Sequence, residues 1–382
     1  MSTPLPRSEF AVTERLTYFN HAAVGVLPVS TRNALEAFLR AQAEGGVMGT
    51  YTYEANMPHY RERIGAFIGA SGDEIAILRN TGDGANAIAL GINWQHGDEL
   101  ILCDNEFPSN AIPWLALRER GVNVRLLPSG AGRLTPEALR RVITPRTRVV
   151  TVSWVGYADG YRHDLAGLAE VSHRAGAMFC VDAIQGLGAF PLDVRALGID
   201  ALYAGGAKWL LALQGVSFLY LQANALDRLS LGMPGWRSLE DMWDFENYDQ
   251  PYVSNASRFE GGTPNFLGAL SLDRSIDVIE KAGTRAIGEH VLALTDRLVD
   301  GLERLGAVVL SERGDGISSG IVTFRVPQYE SVPLGKALQR EGVITTWRPN
   351  GIRVAPHGYN SVEEIDRLLD LIPGALRSLS SP

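Results

Sequence analysis

Two cysteines in 382 residues leave no material for a disulfide framework. Cys103 in "ELILCD" and Cys180 in "AMFCVD" each lie in a strand-like apolar run, where a small buried hydrophobe is the ordinary role. From Val181 to Pro382 there is no cysteine, so that half of the chain offers no thiolate nucleophile. The seven histidines are scattered and form no H-E-x-x-H pair, so no metal site is expected. No apolar stretch approaches the length of a membrane span, and "MSTPLPRSEFAVTERL" lacks the apolar segment of a signal peptide; a cytoplasmic protein with no membrane partner is expected. Basic runs and basic-aromatic interleaving are also missing. With 43 acidic against 35 basic residues the net charge is −8, which repels phosphate backbones and excludes nucleic acid as an expected partner.

What is present is a large apolar fraction, 46%, enough for a full core in two or three domains. Between about residues 72 and 222, short β-branched or apolar runs alternate with amphipathic stretches. The runs are "EIAIL" (74–78), "ELILCD" (99–104), "NVRLL" (123–127), "RVVTVSW" (148–154), "MFCVD" (178–182), "ALYAG" (201–205) and "VSFLYL" (216–221). Helices are expected over 83–93, 109–120, 136–142 and 165–175. The alternation predicts an α/β fold with a mainly parallel sheet between helices. After "RFEGGTPN" (258–265) the pattern becomes long helices over 266–281 and 285–305, then "AVVL", "SGIVTFRV", a helix near 333–341, "VITTW", "GIRVA" and a terminal helix from Val362. This predicts a smaller α+β domain.

Three features of the larger region carry chemistry. Lys208 lies in "YAGGAKWLLALQG", just past a strand and inside an apolar run, where an amine either snorkels to water or is kept reactive by its surroundings. In α/β sheets ligands collect beyond the carboxyl ends of strands. Asp182 closes the apolar strand "FCVD", where a carboxylate calls for a cationic partner unless it serves as a turn residue. "RNTGDGANAIALG" (79–91) leads small residues into a helix whose free N–H groups, with the Thr81 hydroxyl, suit a phosphate, although a plain turn before a helix reads the same way. Its Gly82-x-Gly84 is a poor dinucleotide fingerprint, because Ala87 and Asn86 break it. A lysine and an acid together describe the two handles of pyridoxal phosphate.

The ordered set resembles the class V aminotransferase group of fold-type I pyridoxal-phosphate enzymes, which includes cysteine desulfurases, selenocysteine lyases, isopenicillin N epimerases and kynureninase. The resemblance runs from "YFNHAAVGVLP" (18–28) to "GIRVAPHGYNSVEEID" (351–366). It implies a seven-stranded, mainly parallel sheet in a large domain over 17–283 and a small α+β domain from 1–16 and 284–382. It implies pyridoxal 5'-phosphate as cofactor, bonded to Lys208, with Asp182 against the ring nitrogen. Gln185 would meet the phenolic oxygen with Tyr157 nearby, Phe107 would stack on the ring, and Thr81 with Gly82 would hold the phosphate. Thr263 would reach the phosphate of a partner subunit, implying a homodimer with shared active sites. Arg353 would clamp the substrate α-carboxylate with its guanidinium fork. His21 is a candidate substrate contact, and His357, Trp209 and Trp347 stay open between core and pocket wall.

Two departures from the family narrow the reaction. Gly205, Gly206 and Ala207 stand where relatives carry serine and histidine near the phosphate, and Phe107 stands where desulfurases carry histidine. With no cysteine after Cys180, a persulfide-forming route is disfavoured. The expectation is therefore an enzyme acting on an α-amino acid by Cα–H abstraction, through β-elimination of a C–S or C–Se bond or amino transfer. An epimerase, or a binding module that has lost catalysis, is the alternative.

Overall fold

The computed structural model describes residues 3–128 and 133–380. Seven strands form the main sheet: β1 (Ile75–Leu78), β2 (Glu99–Cys103), β3 (Asn123–Leu127), β4 (Thr147–Ser153), β5 (Met178–Asp182), β6 (Ala201–Gly205) and β7 (Ser217–Leu221). Their spatial order is β1-β7-β6-β5-β4-β2-β3. All neighbours run parallel except β7, which is antiparallel to both β1 and β6. Strands β2, β5, β6 and β7 are buried at every residue, which is why they read as continuous apolar runs rather than alternating ones.

Alternate residues of these strands feed two cores. Leu100, Cys180, Ala201, Tyr203 and Leu219 pack with Ala85 and Ile88 of the helix Thr81–Gly91. Phe179, Val181, Leu202, Ala204 and Phe218 pack on the other face with Leu168, Leu272 and Ile276. The carboxyl ends of β4, β5 and β6 thus emerge side by side from a rigid, helix-covered platform.

A four-stranded antiparallel sheet, β8 (Val308–Val309), β9 (Val322–Arg325), β10 (Thr346–Arg348) and β11 (Gly351–Val354), has the order β10-β11-β9-β8. It packs with the helices Thr284–Arg304, Ser331–Arg340 and Val362–Ser380 around Leu298, Phe324, Leu338 and Leu368. Gly283, at φ 81°, turns the chain into Thr284–Arg304, which supports the domain division we propose at 283/284. Thr17–Tyr18 pairs in parallel with Val343–Ile344 in a separate two-stranded sheet, which ties the amino-terminal segment to the chain just before β10.

Several sequence expectations shift at element ends. The helix expected from Asp83 starts at Thr81, because the Asn80 side chain caps it by accepting from the Asp83 N–H at 3.0 Å. The helix expected over 109–120 spans Pro108–Leu115, and Ala116–Arg120 tightens into a 3-10 turn. "VITTW" divides between two sheets, with Val343–Ile344 on one and Thr346–Arg348 on the other.

Candidate active site

Lys208 lies three residues beyond β6 in a tight turn. The Gly206 N–H donates to the Val216 carbonyl at 2.9 Å and the Ala212 N–H to the Gly206 carbonyl at 2.9 Å, while the Leu211 N–H donates to the Lys208 carbonyl at 3.1 Å. Leu211 is fully buried at φ 57°, a left-handed conformation that a leucine keeps only where packing fixes it. The amino-terminal loop braces the turn from outside. The Gly25 N–H donates to the Ala207 carbonyl at 2.7 Å, and a Cβ at position 25 would lie 2.1 Å from the Lys208 carbonyl oxygen, so only glycine permits this approach.

Register aligns Asp182, the last residue of β5, with Ser153 on β4 and Tyr203 on β6. Its carboxylate is 2% exposed and accepts a hydrogen bond from the Ile184 N–H at 3.0 Å. Burial raises its pKa; the Ile184 N–H opposes this, Glu106 reinforces it, and Lys208 opposes it. Lys208 is shifted the other way: burial lowers its pKa, Asp182 raises it, and Arg353 lowers it again. Aspartate, lysine and arginine therefore share one electrostatic environment. Yet Lys208 and Asp182 form no direct ion pair, and the Lys208 amine has no hydrogen-bond partner among the described residues.

Phe107 and Tyr157 form one wall. Their rings meet edge-to-face with centroids 5.2 Å apart, and the Lys208 Nζ lies 5.3 Å from the Phe107 centroid. Arg353, on β11, donates from Nη1 to the Tyr157 carbonyl at 2.6 Å and from Nη2 to Thr346 Oγ1 at 3.4 Å. Its Nε is buried with no partner, and burial followed by the nearby Arg348 lowers its pKa to about 10. On another side, buried Thr81 opens its helix. The Asn80 cap serves the Asp83 N–H and leaves those of Thr81 and Gly82 without helical partners. Gly205 leaves this corner open, since a Cβ there would come within 3.2 Å of Thr81 Oγ1 and 3.0 Å of Ile184 Cδ1.

Gln185 is wedged between the loop and the lysine turn. It donates from Nε2 to the Ala22 carbonyl at 3.0 Å and accepts at Oε1 from the Trp209 Nε1–H at 2.9 Å, leaving one amide hydrogen unused. His21 is fully buried; Nδ1 donates to the Ala355 carbonyl at 2.9 Å and Nε2 accepts from the Tyr359 hydroxyl at 2.8 Å. Neither nitrogen is left for a substrate. One donor and one acceptor describe a neutral ring, in keeping with burial pulling its pKa well down. His357 is similar: Nε2 donates to the Trp209 carbonyl at 3.0 Å, Nδ1 accepts from the Gly358 N–H at 2.7 Å, and burial lowers its pKa to about 4. These two histidines and Trp209 form a packed wall behind the lysine. Trp347, from the opposite face of β10, packs instead against Gly335, where a Cβ would meet its ring at 2.3 Å. Thr263 is exposed in a cleft that it shares with Arg79 and Asp83 and that Lys208 does not line.

One group escaped the sequence reading. Glu106, beside Phe107, is half-buried and accepts from the Ser153 N–H at 2.7 Å, from the Ser153 hydroxyl, and from Asn110 Nδ2 at 2.9 Å. Asn110 in turn accepts from the Tyr203 hydroxyl and from Thr151 at 3.2 Å. This network ties together the floor on which Asp182 stands. Its only sequence signal was a carboxylate flanking a candidate ring-stacking residue.

The set suits pyridoxal phosphate. A buried carboxylate and a half-buried amine attract across a gap, an aromatic face stands beside the amine, a helix start has unpaired N–H groups, and an arginine has an unpartnered buried nitrogen. No group of three or more His, Cys, Asp or Glu among the described residues could hold a metal ion, and no helix among them is long and apolar enough to cross a membrane.

A lysine and an aspartate at the carboxyl ends of neighbouring parallel strands in this seven-stranded sheet define the class of fold-type I pyridoxal-phosphate enzymes. Residues 17–368 match the aminotransferase class-V family model, and the chain belongs to that family. It is 32% identical over 312 residues to an uncharacterized aminotransferase, YcbU, of Bacillus subtilis, covering 82% of each chain. It is 30% identical over 321 residues to a probable cysteine desulfurase of Methanothermobacter thermautotrophicus, covering 80% of this chain and 78% of that one. The apo structure of cysteine desulfurase from Thermococcus onnurineus superposes with a TM-score of 0.89 at 26% identity, covering 99% of this chain and 100% of the other.

Proposed function

We propose that the chain binds pyridoxal 5'-phosphate and acts on an α-amino acid by removing its Cα proton, leading to β-elimination of a C–S or C–Se bond or to amino transfer. The observation that carries this reading is the pair Asp182, buried, and Lys208, half-buried, opposite charges at neighbouring strand ends that attract without touching. When bound, the cofactor supplies an electron-accepting ring that weakens the bonds at the substrate Cα. Asp182 holds a proton on the ring nitrogen, because a cation at that point offsets the burial of its charge. Lys208 takes the Cα proton on Nζ; its lowered pKa gives a neutral fraction near physiological pH. Arg353 holds the α-carboxylate and so fixes which Cα bond stands across the ring. Thr81 and Gly82 receive the phosphate, Phe107 covers one face of the ring, and Gln185 offers its free amide hydrogen to the phenolic oxygen, with Tyr157 supporting Phe107.

We take the reaction to proceed without a persulfide-forming cysteine. Cys103 and Cys180 are buried in β2 and β5, and burial pushes the Cys103 thiol up to about 12 and the Cys180 thiol well above its usual value, so neither supplies a thiolate. A homodimer in which Thr263 reaches the partner's phosphate is part of the proposal. Exposed Met233, Trp243, Phe245 and Tyr248 lie in the chain segment before Thr263 and form the kind of apolar surface a second copy covers. The test is reconstitution: the wild type should gain a visible absorbance band and a borohydride-trapped Lys208 peptide, and Lys208→Ala should lose both. A wild type that shows neither after saturation with the cofactor refutes the assignment.

A further inference from the structure

Arg348 and Arg353 stand on one face of the β10–β11 hairpin. Thr346 pairs with Arg353 and Arg348 with Gly351, and cross-strand partners share a face, so the two arginines are diagonal neighbours with Cα atoms roughly 7–8 Å apart. Gly351 puts no side chain between them. Thr323 on β9, paired with Arg353, completes the same face. Together with Tyr157 and Asn350 these residues line a small cleft of about 70 Å³ that contains two guanidinium groups and no carboxylate.

Among the described residues no carboxylate pairs with either arginine. Arg353 donates among the described residues only to the Tyr157 carbonyl and to the Thr346 hydroxyl, and its Nε is unpartnered. Arg348 is exposed and has no hydrogen-bond or ion-pair partner among the described residues. Arg133, by contrast, pairs with Asp159 and Glu312. Like charges set diagonally on a sheet face destabilise it, and a ligand with two anionic groups removes that repulsion. A single α-carboxylate occupies one guanidinium fork and leaves the other without a partner.

We propose that Arg348 is a specificity-determining residue and that the site takes α-amino acids whose side chain ends in a carboxylate. The α-carboxylate lies on Arg353 and the side-chain carboxylate on Arg348. Among the reactions proposed above, such a side chain fits amino transfer, which leaves it intact. The inference rests on the reading of Arg353 as the α-carboxylate clamp.

The test is titration of the cofactor-loaded enzyme with L-aspartate, L-asparagine, L-glutamate, L-glutamine and L-alanine, read by calorimetry and by change in the cofactor's absorbance. The wild type should bind one of the acids about tenfold or more tightly than its amide, the scale of one charge-assisted contact. In Arg348→Gln that ratio should fall to about one, and in Arg348→Lys a preference for the acid should return. Equal affinity for acid and amide in the wild type overturns the proposal. So does an Arg348→Gln enzyme in which every ligand weakens together and the ratio survives, since that outcome makes Arg348 a second clamp on the α-carboxylate. If the cofactor band forms and L-alanine binds in either case, this inference fails alone. If the wild type forms no band, the reading of the site fails with it.

Discussion

Asp182→Asn separates a catalytic carboxylate from a structural one. Asparagine keeps the shape and can still accept from the Ile184 N–H, which is 3.0 Å from Asp182 Oδ1. What goes is a buried negative charge, disfavoured first by burial and further by Glu106, with the Ile184 N–H and Lys208 opposing. Without cofactor, losing that charge should leave stability unchanged or raise it by about 1 kcal/mol, a Tm gain of roughly 2 °C in a chain of this size. The sign with pH follows from the raised folded pKa. The folded state holds the Asp182 proton more tightly than the unfolded chain, so the contribution to stability is present at low pH and fades as pH rises towards the folded value. The folded value is about 7, so the advantage of the variant over the wild-type apoprotein should widen from about pH 4 to about pH 7 and then level off. With cofactor the substitution should do the reverse. A preorganised electrostatic contact is worth about 3–4 kcal/mol in the transition state, so kcat should fall by about 10²–10³-fold. Scanning fluorimetry with and without cofactor, alongside turnover on whichever amino acid is active, measures both halves. A variant that loses several degrees as apoprotein and keeps kcat within about threefold would show a structural carboxylate and refute the reasoning.

Gly25→Ala places a Cβ 2.1 Å from the Lys208 carbonyl oxygen, so the loop or the lysine turn must shift. A loss of about 1–3 kcal/mol is expected, together with lower cofactor retention after dialysis, read from the absorbance band. Trp209→Phe removes the indole donor from Gln185 and leaves its buried oxygen unpaired. Chemical denaturation should show a loss of about 1–3 kcal/mol.

The main sheet was legible because its strands are buried on both faces and so stand out as short apolar runs; the seven runs agree with the seven strands to within a residue or two at each end. Element ends depend on side-chain detail that periodicity does not carry, as at Asn80, whose cap sets the start of its helix. The three helices Val29–Gly45, Val47–Ala55 and Met57–Phe67 gave no clear signal, since none carries a side-chain cap and the first two run together across Gly46. At the site, Lys208 and Asp182 were legible because a charge in an apolar strand end is conspicuous. His21 was harder to assign: a histidine near a motif looks the same in sequence whether its nitrogens face a ligand or, as here, the Ala355 carbonyl and the Tyr359 hydroxyl. Glu106 was missed for the opposite reason, since a carboxylate in the polar stretch "NEFPSN" looks solvated until Ser153 and Asn110 are folded over it.

The charges of the site sort by depth. Buried Asp182 and half-buried Glu106 form the floor, held by the Ile184 N–H, Ser153 and Asn110. Lys208 and Arg353 sit above them, with Arg348 outermost and exposed. No direct ion pair joins Asp182 to Lys208, although each shifts the other's pKa towards the charged form. Buried charges left apart in this way weaken a fold unless something bridges them. On the proposed reading, pyridoxal phosphate would bridge Asp182 and Lys208, and the carboxylates of an amino acid would meet the arginines. The lysine turn is as tightly packed: a Cβ at Gly206 would lie 2.9 Å from Leu272 Cδ2 and 3.2 Å from Val216 Cγ1, so on the proposed reading this stretch has no room for a further phosphate-binding side chain at Gly206, and the helix start at Thr81 would carry that role.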